Sequence, residues 1–187
     1  MNLARLLSGV LKTLGPSEDW PDHFDLSRKG LRLSFLALIL SVPAYYICAI
    51  AIQQQAASLA QTPPVYPTAP FFLILGLYAV MFAVCVYIVC VVFDKMDRFR
   101  PWVITRHWAV FFTALLAALL AGLNIAGILP FTALYFLWLV LYLGTLAIDI
   151  RLASKLGGFD WMAAVFTGCI ITAMGLTILM IGVAQLA

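Results

Sequence analysis

Five long runs of apolar residues divide this chain and leave it few ways to fold. They cover roughly residues 31–52, 71–93, 108–128, 131–150 and 161–186. A bilayer core about 30 Å thick needs about 20 apolar residues of α-helix, so each run is long enough to cross it. A helix also satisfies its own backbone polar groups where no water is present. The sequence therefore predicts an all-α integral membrane protein with five transmembrane helices.

The overall composition leads to the same prediction. Hydrophobic residues make up 65% of the chain and charged residues 10%, against about 45–50% and about 25% in soluble chains. A soluble domain of 187 residues cannot bury that much apolar surface. A soluble enzyme, a disordered chain and a secreted disulfide scaffold are excluded. The net charge of +3 is too small to indicate a nucleic-acid partner.

The basic residues indicate which way the spans face. They lie in the N-terminal segment, between the second and third runs, or between the fourth and fifth runs. They are Arg5, Lys12, Arg28, Lys29, Arg32, Lys95, Arg98, Arg100, Arg106, Arg151 and Lys155. Five spans put these segments on one side, and Lys and Arg favour the cytoplasmic side. We expect the N-terminus inside and the C-terminus outside, in a bacterial cytoplasmic (inner) membrane, with an intracellular eukaryotic membrane as the alternative.

Residues 1–29 are expected to form an inner-side segment ahead of the five-span bundle of residues 30–187. An apolar stripe recurs there at helical spacing. It consists of Leu3, Leu6, Leu7, Val10, Leu11 and Leu14. We expect a short amphipathic helix in the inner leaflet, with Arg5 and Lys12 near anionic headgroups. The alternatives are a helix packed on the protein's own inner loops and a helix that binds a protein partner.

The connection at residues 94–108 is the most polar part of the chain. Guanidinium groups bind phosphate and carboxylate in a bidentate manner, so Arg98, Arg100 and Arg106 are candidate contacts for a lipid headgroup or another anion. The alternative is an ordinary basic loop attracted to anionic lipids. We also expect Asp149 to pair with an arginine of this connection.

Catalytic and cofactor motifs are absent from the sequence. There is no H-E-x-x-H, no G-x-S-x-G and no phosphate-binding glycine loop, and the four cysteines lack metal-binding spacing. No ionisable residue falls near the middle of a predicted span, where proton relays and many ion-coupled carriers place them. We therefore expect no enzyme activity, no cofactor and no metal.

Small residues at regular spacing indicate where the spans pack. Lipid gives helices no hydrophobic reason to associate, so contacts between small residues matter. The candidate packing residues are Gly168, Gly175 and Gly182 in the fifth span and Ala114, Ala118 and Gly122 in the third. We expect these two faces to pack on each other. The alternative is a dimer in which two copies of the fifth span meet.

The order of parts suggests a function class. An inner N-terminal segment, five spans and an outer C-terminus resemble the topology of Yip-type membrane proteins, a resemblance that gives no residue a role. We interpret the chain as a non-catalytic scaffold, accessory subunit or trafficking and assembly factor. One alternative is a small oligomeric channel or carrier for a neutral or lipid-like solute. Another is a lipid-headgroup enzyme. The expected partners are anionic inner-side lipids and either a membrane protein or a second copy.

Overall fold

The computed structural model describes residues 2–64 and 69–184, and within them it leaves the side chains of Pro70, Leu179 and residues 182–184 undescribed. Helices make up the ordered elements of this part of the chain, and it contains no strand. The elements are α1 (Leu3–Leu14), a 3₁₀ turn (Trp20–His23), α2 (Arg28–Ala60), α3 (Ala69–Val92), α4 (Met96–Ile125), α5 (Phe131–Lys155) and α6 (Trp161–Ala184).

The helices α2 to α6 are each long and apolar enough to cross a membrane. They correspond to the five predicted runs, and the prediction of five spans is confirmed at this level. By length and composition the chain is a multi-pass membrane protein. The inside and outside placement of the termini stays a prediction.

The third span begins earlier than the sequence predicted. Helix α4 begins at Met96, not near residue 108, so most of the expected loop at 94–108 is helical. Charges and Pro101 are typical of a loop, but every residue from Trp102 to Phe111 is buried. Tertiary packing of these residues outweighs the local preference of the sequence.

Helix α4 is the central element of the bundle. It packs against α1, α2, α3 and α5, and its most extensive contact is with α2. Helix α6 packs on α5 and α3. The tight turn after α4 makes α4 and α5 neighbours. Any site built between the spans is therefore expected to draw on α4.

The expected packing of the fifth span on the third is wrong. In α6, a Cβ atom at Gly168 would lie 2.8 Å from the backbone nitrogen of Ile150 in α5. A Cβ at Gly175 would lie 3.0 Å from the Tyr78 ring in α3. The glycines therefore face α5 and α3. Gly182 lies outside the residues whose side-chain surroundings are described.

The small residues of the third span pack on a different partner. Ala114 and Ala118 of α4 are buried in a cluster with Ala44 of α2. A Cβ at Gly122 would meet nothing within 4 Å, so this glycine does not lie at a close contact. Helix α2 has its own buried small residues, including Ala37, which let it approach α4.

Helix α1 presents two rows of apolar side chains. The inward row is Leu6, Val10 and Leu14, which pack with a buried cluster that includes Trp108. The outward leucine row is Leu3, Leu7 and Leu11, which are exposed. Part of the predicted stripe thus packs on the protein itself. Docking of the outward leucine row in a leaflet stays a prediction.

The two cations of α1 contact the connector that follows this helix. Arg5 donates a hydrogen bond to the backbone carbonyl of Asp22, and Lys12 forms an ion pair with Asp19. Both cations remain partly accessible. Their predicted contact with anionic headgroups is not tested by these bonds.

The end of α1 is attached to the end of α5. Arg151 donates to the carbonyls of Leu14 (3.2 Å) and Gly15 (3.1 Å). Lys155 donates to the carbonyls of Gly15 (2.8 Å) and Ser17 (2.6 Å). Cations near unpaired carbonyls at a helix C-terminus are stabilising. The N-terminal segment is therefore fixed to the same end of the bundle as the basic residues that end α5.

Candidate functional site

A cavity of about 290 Å³ lies between α2, α3, α4, α5 and α6. Most of its wall is apolar, and it includes Leu75 and Met174. The polar side chains in the wall include Arg106 of α4, Asp149 of α5 and Thr172 of α6. Apolar pockets with a few placed polar groups are the usual form of small-molecule sites. This cavity is the candidate functional site.

A buried ion pair joins α4 and α5 at the cavity wall. Arg106 Nε and Nη2 donate to the two carboxylate oxygens of Asp149, with Nη2 to Oδ2 at 3.1 Å. The Asp149 side chain is fully buried. Thr172 of α6 also donates to Oδ2, at 3.1 Å. The pairing of Asp149 with an arginine of the 94–108 segment is confirmed. Both charges are compensated, as burial requires.

Arg106 also lies over an aromatic ring. Its guanidinium carbon is 4.9 Å from the centre of the Phe82 ring on α3. A cation at this distance from a ring face is attracted by the ring's negative charge density, more strongly where water is excluded. The contact brings α3 into the group that surrounds the ion pair.

The three candidate anion-binding arginines are not brought together. Arg98 pairs with the neighbouring Asp97 and is exposed, and Arg100 is exposed as well. Arg106 is buried in the bundle and its charge is engaged by Asp149. Arg98 and Arg100 thus remain accessible for the predicted headgroup contact, whereas Arg106 belongs to a different environment.

Three ionisable residues lie inside the long helices, between their middle and one end. With a rise of 1.5 Å per residue, Arg106 lies about 15 Å from the start of α4 at Met96, and His107 follows it. Asp149 lies about 9 Å from the end of α5 at Lys155. The predicted absence of ionisable groups from the middle of the membrane stays a prediction.

His107 lies beside the ion pair and has one partner. Its Nδ1 is 2.9 Å from the Ser34 hydroxyl of α2, which in turn is 2.8 Å from the Leu31 carbonyl. The ring packs edge-on against Phe35, with centres 4.7 Å apart. Within the described part of the chain, Nε2 has no hydrogen-bond partner. His107 is thus hydrogen-bonded through one of its two ring nitrogens.

Two consecutive residues of α4 therefore connect all five spans. Arg106 reaches α3, α5 and α6 through Phe82, Asp149 and Thr172. His107 reaches α2 through Ser34. The contacts of Arg106 and His107 with α2, α3 and α6 were not predicted from the sequence. The available signal was weak, because Ser, Thr and Phe are ordinary residues in apolar helices.

Asp149 accepts hydrogen bonds at both of its carboxylate oxygens, from Arg106 and from Thr172. Among the residues that the structure describes, no group of three or more His, Cys, Asp or Glu could hold a metal ion. Among the described residues that line the cavity, His107 has the one buried polar side-chain atom without a hydrogen-bond partner, Nε2.

Comparison of the chain with protein-family models, with curated proteins and with solved structures finds no match.

Proposed function

We propose that the protein is a non-catalytic carrier that binds a neutral, lipid-like solute in the cavity between its spans. The observation that supports this proposal is the cavity of about 290 Å³ between all five long helices. An apolar cavity of about 150 Å³ already binds benzene, so this one has room for a chain of several carbon atoms. Its apolar wall favours a molecule that partitions into the bilayer.

The charges at the cavity favour a neutral solute. Arg106 and Asp149 compensate each other, so the wall offers no unpaired charge to balance an ion. A charged group moved into such a place would lose its hydration without a counter-ion. The same compensation argues against the alternative of a lipid-headgroup enzyme, because both oxygens of Asp149 already accept hydrogen bonds from Arg106 or Thr172.

Photolabelling tests the proposed function. The purified protein in lipid nanodiscs is labelled with a decane that carries a diazirine group, and labelled peptides are mapped by mass spectrometry. We expect label on cavity residues such as Ala79 and Tyr142. Ala79→Phe fills part of the wall and should remove most of this label. Ala147→Phe makes the same change at an exposed position of α5 and should leave it unchanged.

A labelling pattern that does not involve the cavity would contradict the proposed function. Label confined to exposed residues such as Leu139 and Leu143, and unaffected by Ala79→Phe, would show that the cavity does not take up the probe. The proposed carrier function would then be rejected.

The second candidate is a scaffold or accessory subunit, which the outward leucine row of α1 supports. These side chains are exposed on α1, whose end is fixed to the bundle by Lys155. A fixed, exposed apolar row is suitable for contact with a partner helix. A stoichiometric partner that co-purifies in mild detergent, and is lost on Leu7→Asp with Leu11→Asp, would support this candidate. Purification of the protein alone would count against it.

A further inference from the structure

His107 is the one cavity residue with an unpaired buried polar atom among those that the structure describes. The residue is 1% exposed, lines the cavity and leaves Nε2 without a partner. Trp102 Nε1 and Thr105 Oγ1 are also unpaired in the described part of the chain, but neither residue lines the cavity. Buried polar atoms are normally hydrogen-bonded, so Nε2 is the position where a bound molecule gains most from a polar group.

The protonation of His107 follows from its neighbour. Ser34 Oγ has contacts with the Leu31 carbonyl at 2.8 Å and with His107 Nδ1 at 2.9 Å. A carbonyl only accepts, so the one Ser34 proton points to Leu31. Both contacts are then hydrogen bonds only if Nδ1 carries a proton and donates to Ser34. In the neutral ring, Nε2 is left as an acceptor.

We infer that the solute of this cavity carries a hydroxyl group, which donates a hydrogen bond to His107 Nε2. This inference rests on the proposed function and names its substrate class, a lipid-like alcohol with an alkyl or isoprenoid chain. The chain occupies the apolar part of the wall and the hydroxyl lies near α4. An ether or a ketone of the same shape only accepts, and leaves Nε2 unpaired.

The aromatic surroundings of His107 fit this assignment. Phe35 and Phe82 pack edge-on against the ring at 4.7 Å and 6.2 Å between centres. They hold the ring in place and add no competing donor. The neighbouring cation, Arg106, is engaged by Asp149. A hydroxyl from the solute would supply the donor that His107 Nε2 lacks among the described residues.

Competition against the diazirine probe tests the inference. Decanol, methyl decyl ether and decane compete for labelling of the cavity in nanodiscs. One hydrogen bond to a buried acceptor corresponds to about fivefold to tenfold in affinity, and we expect decanol to compete better than the other two by that factor. In His107→Phe the preference for decanol over decane and over the ether should disappear.

Ser34→Ala provides a second test that keeps the histidine. Without the serine acceptor, Nδ1 no longer has to carry the proton, and Nε2 is free to donate. Methyl decyl ether should then compete nearly as well as decanol. A uniform preference for decanol in all three proteins would overturn the role of His107.

The remaining outcomes separate the two proposals. If decanol and the ether compete equally in the wild type, the inferred hydroxyl contact is wrong and the cavity still binds lipid-like molecules. If the cavity is not labelled at all, the proposed function is wrong and the inference is rejected with it.

Discussion

Gly168 of α6 lies directly against the backbone of Ile150 in α5, where a Cβ atom would come within 2.8 Å of the Ile150 nitrogen. This distance is shorter than real Cβ contacts, and the atom it meets is backbone. The two helices approach this closely because residue 168 has no side chain. Close contact of this kind is a main source of helix association in lipid.

Substitution of Gly168 should weaken the bundle. Gly168→Ala has to separate α5 from α6, and overpacking of this kind costs about 1–3 kcal/mol. The thermal midpoint of the protein in detergent should fall accordingly. Gly144→Ala is the matched control, because a Cβ at Gly144 meets nothing within 4 Å. Its midpoint should stay unchanged or rise, and an equal loss in both variants would contradict the close contact.

The ion pair between Arg106 and Asp149 should depend on both partners. Asp149→Leu leaves a buried guanidinium uncompensated, and the loss of one partner costs about 3–5 kcal/mol. Arg106→Met combined with Asp149→Leu removes both charges and should recover most of this loss. Unfolding in a denaturing detergent measures the series. Arg98→Met, at an exposed arginine, should change little.

Additive losses in that double variant would contradict the ion pair. The stability losses of Arg106→Met and Asp149→Leu should instead add up to more than the loss in the double variant. Each single change leaves a buried charge without its partner, and the double change leaves none. Residues that share one interaction depart from additivity in this way.

The two rows of α1 should respond differently to charge. Val10→Asp puts a carboxylate into a buried contact with the bundle, so the segment should become sensitive to protease both in detergent and in nanodiscs. Leu7→Asp with Leu11→Asp changes only the outward leucine row. If this row docks in a leaflet, sensitivity should rise in nanodiscs and stay unchanged in detergent. Equal protection of this variant in both environments would leave the leaflet contact without support.

The elements that the sequence predicted are those that composition decides. Apolar runs of this length are stable in lipid as spanning helices. Helices α2 to α6 correspond to the five runs. The predicted start of α4 was wrong, because charged residues and Pro101 are typical of a loop. Their helical structure depends on burial of Trp102 and Ile104 under other helices. A local sequence pattern contains no information about burial by helices that are distant in the chain.

The site was predicted only in one pair of residues. Asp149 was expected to pair with an arginine of residues 94–108, and Arg106 is that arginine. The contribution of Ser34, Phe82 and Thr172 depends on which helices are neighbours, because each comes from a different span. Small-residue spacing suggested that α4 and α6 are the neighbours, whereas α4 packs mainly on α2.

The ion pair between Lys12 and Asp19 should be lost only at low pH. The hydrogen bond from Lys12, with a second from Ser17, lowers the pKa of Asp19 from 3.8 to about 2. A carboxyl whose pKa is lowered by folding stabilises the structure above its unfolded pKa, and this contribution is lost as the pH falls through the folded value. Carbon NMR of Asp19 should thus show an ionised carboxylate at pH 3. Lys12→Met should return the pKa towards 3.8, and high salt should have a similar but smaller effect.

The last prediction concerns the direction in which the chain crosses the membrane. Lys95, in the turn before α4, donates to the carbonyl of Gly158, in the turn after α5, at 2.9 Å. Lys155 at the end of α5 donates to Gly15 in the N-terminal segment. The three basic segments thus meet at one end of the bundle, which is the arrangement that the cytoplasmic preference of Lys and Arg needs. A reporter active only outside should work when fused after residue 187 or inserted after Thr62, and fail when inserted after Asp94. Activity after Asp94 with none after Thr62 would reverse the predicted orientation, while activity at all three positions would contradict the arrangement of the spans.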